Sequence, residues 1–369
     1  MRKQSYVEGV LDPSELRATA LSIARQQEPS GAIPWVAGQH TDIWNHVEAA
    51  MGLLVGGLVE QAEAAYRWAA SMQRPDGSWP MRIEQGVVTE PRGESNMSAY
   101  LAVGLWHHWL IRRDRAFVDR LWPHVRAGLD WVVALQQRFG GIAWTPDDDF
   151  ALLAGGSSIY QSLRAGVALA DLVDDPQPEW ELVGGRLGHA LRTHRDLFAD
   201  KSTFAMDWYY PVLGGAVTGE DGAELLAGRW DDFVVPGLGV RCVDTNPWVT
   251  GAETCELVLA LDNLGDHRRA LGVFEQMQHL RAPDGGYWTG WVYADPAHPN
   301  DNPDVVWPAE HSTFTAAAVL LAADALGAHY GAATTGSGIM RGRGLGAVFA
   351  ELALECGCAQ TSSRAGVAE

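Results

Sequence analysis

The stretch Gly239 to Glu256, GVRCVDTNPWVTGAETCE, sets Asp244, Asn246, Trp248, Glu253 and Glu256 beside the apolar run LVLAL. Acids, an amide and an indole in so polar a run are the materials of a pocket wall for a hydroxyl-bearing ligand. Paired carboxyl groups do acid and base work, one protonated to release a leaving oxygen, the other ionised to activate water or attack carbon. Five other stretches share the layout: His40, Asp42, Trp44, Asn45 and Glu48; Trp79 and Glu94; Trp144 with Asp147 to Asp149; Asp207, Trp208 and Tyr209; and Trp288, Trp307, Glu310 and His311.

Glu253 and Glu310 are the expected working pair, with Asp207 and Asp42 next in line. Trp44, Asn45, Glu48, Trp208, Tyr209, Asn246, Trp248, Trp288, Trp307 and His311 are the expected substrate contacts. A plainer reading stands beside each. An acid in the first turn of a helix complements its dipole whether or not it does chemistry. Glu256, one turn inside its helix, reads as a partner holding a neighbour, and Asp147 to Asp149 as a solvated loop. Trp79, Trp144 and Trp288 read as structural pins of the repeat ahead of ligand platforms. His40, His46 and His311 have the chemistry of proton shuttles, but a hydrogen-bonded structural His is the commoner case; His107 and His108 read as packing and surface.

These residues need elements that bring them together. From Pro13 to about Leu326 the apolar spacing predicts some twelve helices in hairpins. Asp12 and Pro13 open the first, and Pro123 sits where a helix would kink or restart. Alternate helices differ: the odd ones are long, amphipathic and charged on one side, while the even ones are rich in Ala, Gly, Ser and Thr and apolar nearly all round. A helix apolar on every side is a buried one. A small-residue ring inside an amphipathic ring is an all-α (α/α)6 toroid, and the repeated hairpin is its signature. Every loop from an outer to an inner helix then exits at one end, and those are the long loops holding the acids and indoles. The expected division is a toroid over 1–328 and a Gly-rich, flexible tail over 329–369, with VFAELALE as a last weak helix.

Two resemblances bear on this. AYRWAASMQRPDGSW, LDWVVALQQRFGGIAW and VFEQMQHLRAPDGGYW resemble the QW-type repeats of squalene and hopene cyclases and of protein prenyltransferases, in which Gln and Trp tie a helix end to its loop. RRDRAFVDRLWPHVRAGLDWVV is similar to the outer helix of six-hairpin glycosidases. The first implies isoprenoid chemistry, yet its residues are missing: Asp147 to Asp149 lack the first acid of the cyclase motif, and Cys242 and Asp244 carry the prenyltransferase zinc spacing reversed. The second implies glycoside hydrolysis by a carboxylate pair in a Trp-lined cleft, with no cofactor and no metal. A sugar-binding toroid without catalysis is a further alternative.

Composition sets the outer bounds. A formal charge of −19, with nearly all the positive charge on Arg, argues against nucleic acid, since phosphate binding needs a basic surface. Sixteen Trp suit a ligand with rings to stack on. No apolar run is long enough to span a bilayer and the first residues lack a signal-peptide core, so the expectation is a cytoplasmic protein with a small-molecule or oligosaccharide substrate. Cys242, Cys255, Cys356 and Cys358 are too few and too oddly placed for a disulfide framework. Oligomeric state is open.

Overall fold

The computed structural model describes residues 5–295, 303–334 and Phe349. Outer and inner helices alternate along the chain. Outer α1 (Pro13–Ala24) leads to inner α2 (Ile43–Val55), and α3 (Val59–Ser71) to α4 (Ser95–Ala99), which continues as α5 (Leu101–Arg112). Next come α6 (Arg115–Val133) and α7 (Leu153–Val173), then α8 (Pro178–Thr193) and α9 (Ala205–Leu213). The longer α10 (Gly219–Gly228) and short α11 (Trp230–Phe233) lead to α12 (Gly251–Asn263), and α13 (His267–Gln276) to α14 (Thr313–Tyr330). Inner helices pack in the closed order α2, α5, α7, α9, α12, α14 and back to α2. This is the (α/α)6 toroid.

Local chemistry explains where helices begin. Asp12 and Glu15 form a reciprocal capping box on α1, Asp114 caps α6, and Ser312 caps α14. Helix α14, TFTAAAVLLAADALGAHY, is buried through almost its whole length, as its unbroken apolar character requires. Pro123 does not restart a helix, since α6 runs through it. It lies on the exposed face, where water satisfies the carbonyl that the ring cannot bond.

A repeated device joins the outer helices. The side-chain amides of Gln27, Gln73 and Gln136 each donate to a loop glycine carbonyl, on Gly31, Gly77 and Gly140, at 3.0, 2.8 and 3.0 Å. Each also donates to the next outer helix, at the carbonyls of Gln61, His124 and Val183, at 2.9, 2.9 and 3.0 Å. The three glycines have positive φ, and an added Cβ would lie 2.6, 2.3 and 2.6 Å from the carbonyl oxygens of Ala64, Ala127 and Arg186. Trp79 is fully buried and its indole N–H donates to the Ala69 carbonyl at 2.7 Å, so it is a pin. Gly77→Ala is therefore expected to cost about 3 kcal/mol, from strain plus steric conflict, whereas Gly38→Ala, also at positive φ but in open space, costs about 1 kcal/mol. Urea unfolding of the two variants measures the difference.

The sequence patterning predicts no strands, yet the structure has them. Strand β1 (Tyr6–Val7) opens the chain; β2 (His40–Thr41), β3 (Pro80–Glu84) and β4 (Val87–Gly93) form one antiparallel sheet. A second sheet runs in sequence order through β5 (Val234–Val235), β6 (Gly239–Arg241), β7 (Trp248–Thr250), β8 (Gly290–Val292) and β9 (Val305–Val306). Both sheets are built from outer-to-inner loops, so both stand at the same end of the ring. At the other end α14 continues past 328, and β10 (Gly331–Ala332) pairs with β1, fastening the last turn of the ring to its beginning. Phe349 packs edge-on against Tyr160, with ring centroids 5.6 Å apart. The helix expected around it, and Cys356 and Cys358, lie outside the described residues.

Candidate active site

The N-termini of all six inner helices meet at the end that carries the two sheets, and the candidate acids stand there. Asp42 caps α2, Glu94 caps α4, Asp207 and Glu253 lie in the first turns of α9 and α12, and Glu310 precedes α14. Backbone hydrogen bonds join these helix starts into a continuous arc. Ala205 N–H donates to the Cys242 carbonyl at 2.9 Å, Gly251 to Thr289 at 3.1 Å, Thr289 to Glu310 at 3.1 Å, and Thr313 to Trp35 at 2.9 Å. Asp42, Asp207, Glu253 and Glu310, from distant parts of the chain, thus share one rim, as their types and placement predict.

Their environments differ. Asp42 is 4% exposed; it accepts from the Asn45 backbone N–H at 2.9 Å and from the Asn45 side-chain amide at 2.6 Å. His40 Nε2 stands 3.8 Å away. Burial raises the Asp42 pKa above the usual carboxylate range, against the pull of those hydrogen bonds. Glu253 is half-buried and accepts from the Thr250 hydroxyl. Its charge reaches Tyr209, Cys242 and Glu256, so it stands at the rim by the seam between α12 and the neighbouring α9. Glu310 accepts from the Trp35 indole at 2.7 Å and from the Gln39 amide at 3.3 Å. It fastens the loop that carries Trp35. Asp207 accepts from the Ala154 N–H at 3.1 Å, which turns its carboxyl along the ring toward α7. It lines a side cleft of about 470 Å³ with Asp200, Lys201 and Arg229, and burial pushes its pKa up to about 6.

Beneath the rim lies a buried polar floor. Tyr209 and Tyr210 both donate to Glu256, the latter at 2.6 Å, and Tyr100 donates to Glu48 at 3.1 Å. Glu48 is pushed up to about 8 by burial, and Glu256 is raised by burial and by Glu48. A neutral Glu48 keeps this interior from stacking two full negative charges. Glu256 thus holds its neighbours Tyr209 and Tyr210, as its place one turn inside α12 suggests. Glu94 reaches about 7 for the same cause, while accepting from the N–H groups of Asn96 and Met97 at 3.2 and 2.6 Å.

Several expected substrate contacts have other employment. Trp208 is buried, its indole N–H donates to the Leu225 carbonyl at 3.1 Å, and it stacks on Phe233 at 5.1 Å; it pins α9 to α10. Asn246 occupies an exposed turn between β6 and β7. Trp248 donates its indole N–H to the Trp307 carbonyl at 2.7 Å, which leaves Trp307, 55% exposed, as the open face of that pair. Trp44 packs on Tyr100 and Phe314 at 4.9 and 5.2 Å, and Trp288 on His311 at 4.0 Å. Trp288, His311 and Glu310 line one shallow cleft. His46 is structural: its ring bonds the Ile33 N–H and the Ala65 carbonyl at 3.0 and 2.9 Å. His107 and His108 are fully buried, so the surface reading of that pair fails. Sequence patterning passes over Trp35, Tyr100 and Tyr210; each is an aromatic close to one of the rim or floor acids, but nothing in its own spacing marks it.

Among known proteins, the MMP endo-(1,4)-3-O-methyl-alpha-D-mannosidase of Mycolicibacterium hassiacum is 52% identical to this chain over 366 residues, covering 97% of each. The chain belongs to that mannosidase's family. It is a glycoside hydrolase, and its substrate is a sugar. Solved structures of the same fold include a wild-type glycosidase, with a TM-score of 0.69 and 16% identity over 85% of this chain and 96% of that one. Another is the GH63 mannosylglycerate hydrolase of Thermus thermophilus in complex with Tris and D-glycerate, with a TM-score of 0.63 and 15% identity over 83% of this chain and 99% of that one. No family model matches the chain. The isoprenoid alternative gives way to the family membership. Gln73, Gln136 and Trp79, from the stretches that suggested it, tie the outer helices and their loops, and the floor of carboxyls and tyrosine hydroxyls is unlike the deep apolar cavity a polyprene needs. Among the described residues no helix is long and apolar enough to cross a membrane.

Proposed function

We propose that this hydrolase cleaves internal α-(1,4) bonds between 3-O-methyl-D-mannose units, with Asp42 and Glu253 as the working carboxyl pair. The substrate class rests on the likeness to the Mycolicibacterium hassiacum enzyme. The residue pair rests on the rim. Asp42 is the deeply buried acid whose pKa burial raises, suited to protonate the leaving oxygen, and Glu253 is the half-buried carboxyl at the rim, suited to activate water or attack carbon. Glu310 orients the loop bearing Trp35, and Asp207, turned toward its side cleft, stands second in line as the acid. The aromatic faces of Trp35 and Trp307 suit sugar rings whose methyl ethers add apolar surface.

The reaction follows from these placements. A sugar chain lying across the rim sets its glycosidic oxygen at the Asp42 carboxyl, which gives up its proton as the bond breaks. Positive charge then develops on the anomeric carbon, stabilised by the Glu253 carboxylate; water bonds to that carbon, directly or after a glycosyl ester to Glu253, and the proton it loses returns, in net, to Asp42. Incubation with a defined 3-O-methylmannose oligosaccharide is expected to give shorter oligosaccharides from internal cleavage, read by mass spectrometry. Release of single terminal sugars only would refute the endo mode, and an inert methylated chain beside a cleaved unmethylated one would refute the substrate class.

A further inference from the structure

At the pole opposite the rim, Asp262 near the end of α12, His267 at the start of α13 and His329 near the end of α14 converge. Their ligand atoms all lie within 4.8 Å of one another. Asp262 Oδ1 is 3.2 Å from His267 Nδ1 and 3.8 Å from His329 Nε2. We propose that this cluster binds a divalent d-block cation, zinc above the others.

Three observations carry the assignment. The Asp262 side chain has no solvent exposure, and positive charge stabilises a carboxylate so deeply buried. The C-terminal ends of α12 and α14 add their negative dipole ends to the same spot. Second, tetrahedral zinc with bonds of about 2.0 to 2.1 Å sets its ligand atoms about 3.3 Å apart, close to the two Asp–His separations seen. Third, two imidazoles and one carboxylate form a donor set that favours zinc over magnesium or calcium, which prefer oxygen throughout. Three protein ligands leave the fourth position to water.

The imidazoles of His267 and His329 stack face to face, with centroids 3.7 Å apart and planes 13° from parallel. Two parallel rings cannot both hold one ion in their planes, so loading requires one to turn. The bound ion would staple the ends of α12 and α14, inner neighbours in the ring, to the first turn of α13. It takes no part in glycoside cleavage, whose acids stand at the other end of these helices.

Chelator-treated full-length protein, titrated with zinc chloride by calorimetry and followed by thermal unfolding, is the test. The expected result is one binding event with a rise in Tm, absent with magnesium. His329→Gln and His267→Gln should each weaken that event by on the order of tenfold or more. Any zinc taken up elsewhere, as by the tail cysteines, is common to all three proteins and cancels in the comparison. Zinc binding unchanged in both variants, or absent from the parent, overturns the proposal. Cobalt loading adds a spectroscopic readout: strong tetrahedral d–d bands in the parent that His267→Gln removes support the site, and bands equal in both proteins, or the weak spectrum of the hydrated ion, refute it.

Discussion

Glu253→Gln is expected to lower kcat by about 10³-fold, roughly 4 kcal/mol of lost transition-state stabilisation, with KM little changed. The substitution keeps size and keeps an oxygen to accept the Thr250 hydroxyl, so the start of α12 is undisturbed. What it removes is the carboxyl group at the start of α12, on the rim. Ground-state contacts to the sugar survive, while stabilisation of the positive charge developing at the anomeric carbon is lost. Steady-state kinetics on a 3-O-methylmannose oligosaccharide gives the split between kcat and KM. A rise in KM alone would make Glu253 a binding residue, and unchanged kinetics would remove it from the mechanism. Glu310→Gln is the control on the same arc. Its amide still accepts from the Trp35 indole, so a smaller loss than at Glu253 is expected.

The architecture was legible because it rests on long, repeated signals. Alternating amphipathic and all-apolar helices can only nest as two rings, and the long loops must then share one end; Asp42, Asp207, Glu253 and Glu310 could be placed there without coordinates. What the patterning could not supply was direction within the rim. Asp207 and Trp208 are adjacent in sequence, yet one lines a side cleft and the other pins α9 to α10, a difference fixed by neighbours such as Ala154 and Leu225 that lie far away along the chain. The two sheets escaped for another reason. Most of their strands are two or three residues long, too short to show a period of two, and they exist because loop partners meet across the rim. Glu256 shows the opposite case: its place one turn inside α12 marks it as a side chain that holds neighbours, which here are Tyr209 and Tyr210.

Asp42→Asn separates the capping role of this residue from its chemistry. Asn is as good a helix N-cap as Asp, so its side-chain oxygen continues to accept the Asn45 N–H, and α2 keeps its start. The Asn45 amide turns to present its oxygen to the new NH₂, preserving the second bond. Stability should hold or rise, and the sign follows from linkage. The folded-state pKa of Asp42 is raised by burial, so the folded protein holds this proton more tightly than the unfolded chain, and stability falls as pH climbs from the ordinary Asp value through the raised one. An amide carries no such penalty at neutral pH. Activity should fall by about 10² to 10⁴-fold, the share of a general acid, since no proton is available for the leaving oxygen. In the parent enzyme kcat/KM should decline as pH rises through that raised pKa, and this alkaline limb should vanish from the residual activity of the variant. A substrate with an activated phenolate leaving group, which needs no proton, should recover most of the lost rate. Equal losses on activated and natural substrates would place the proton donor elsewhere, with Asp207→Asn as the next variant to make.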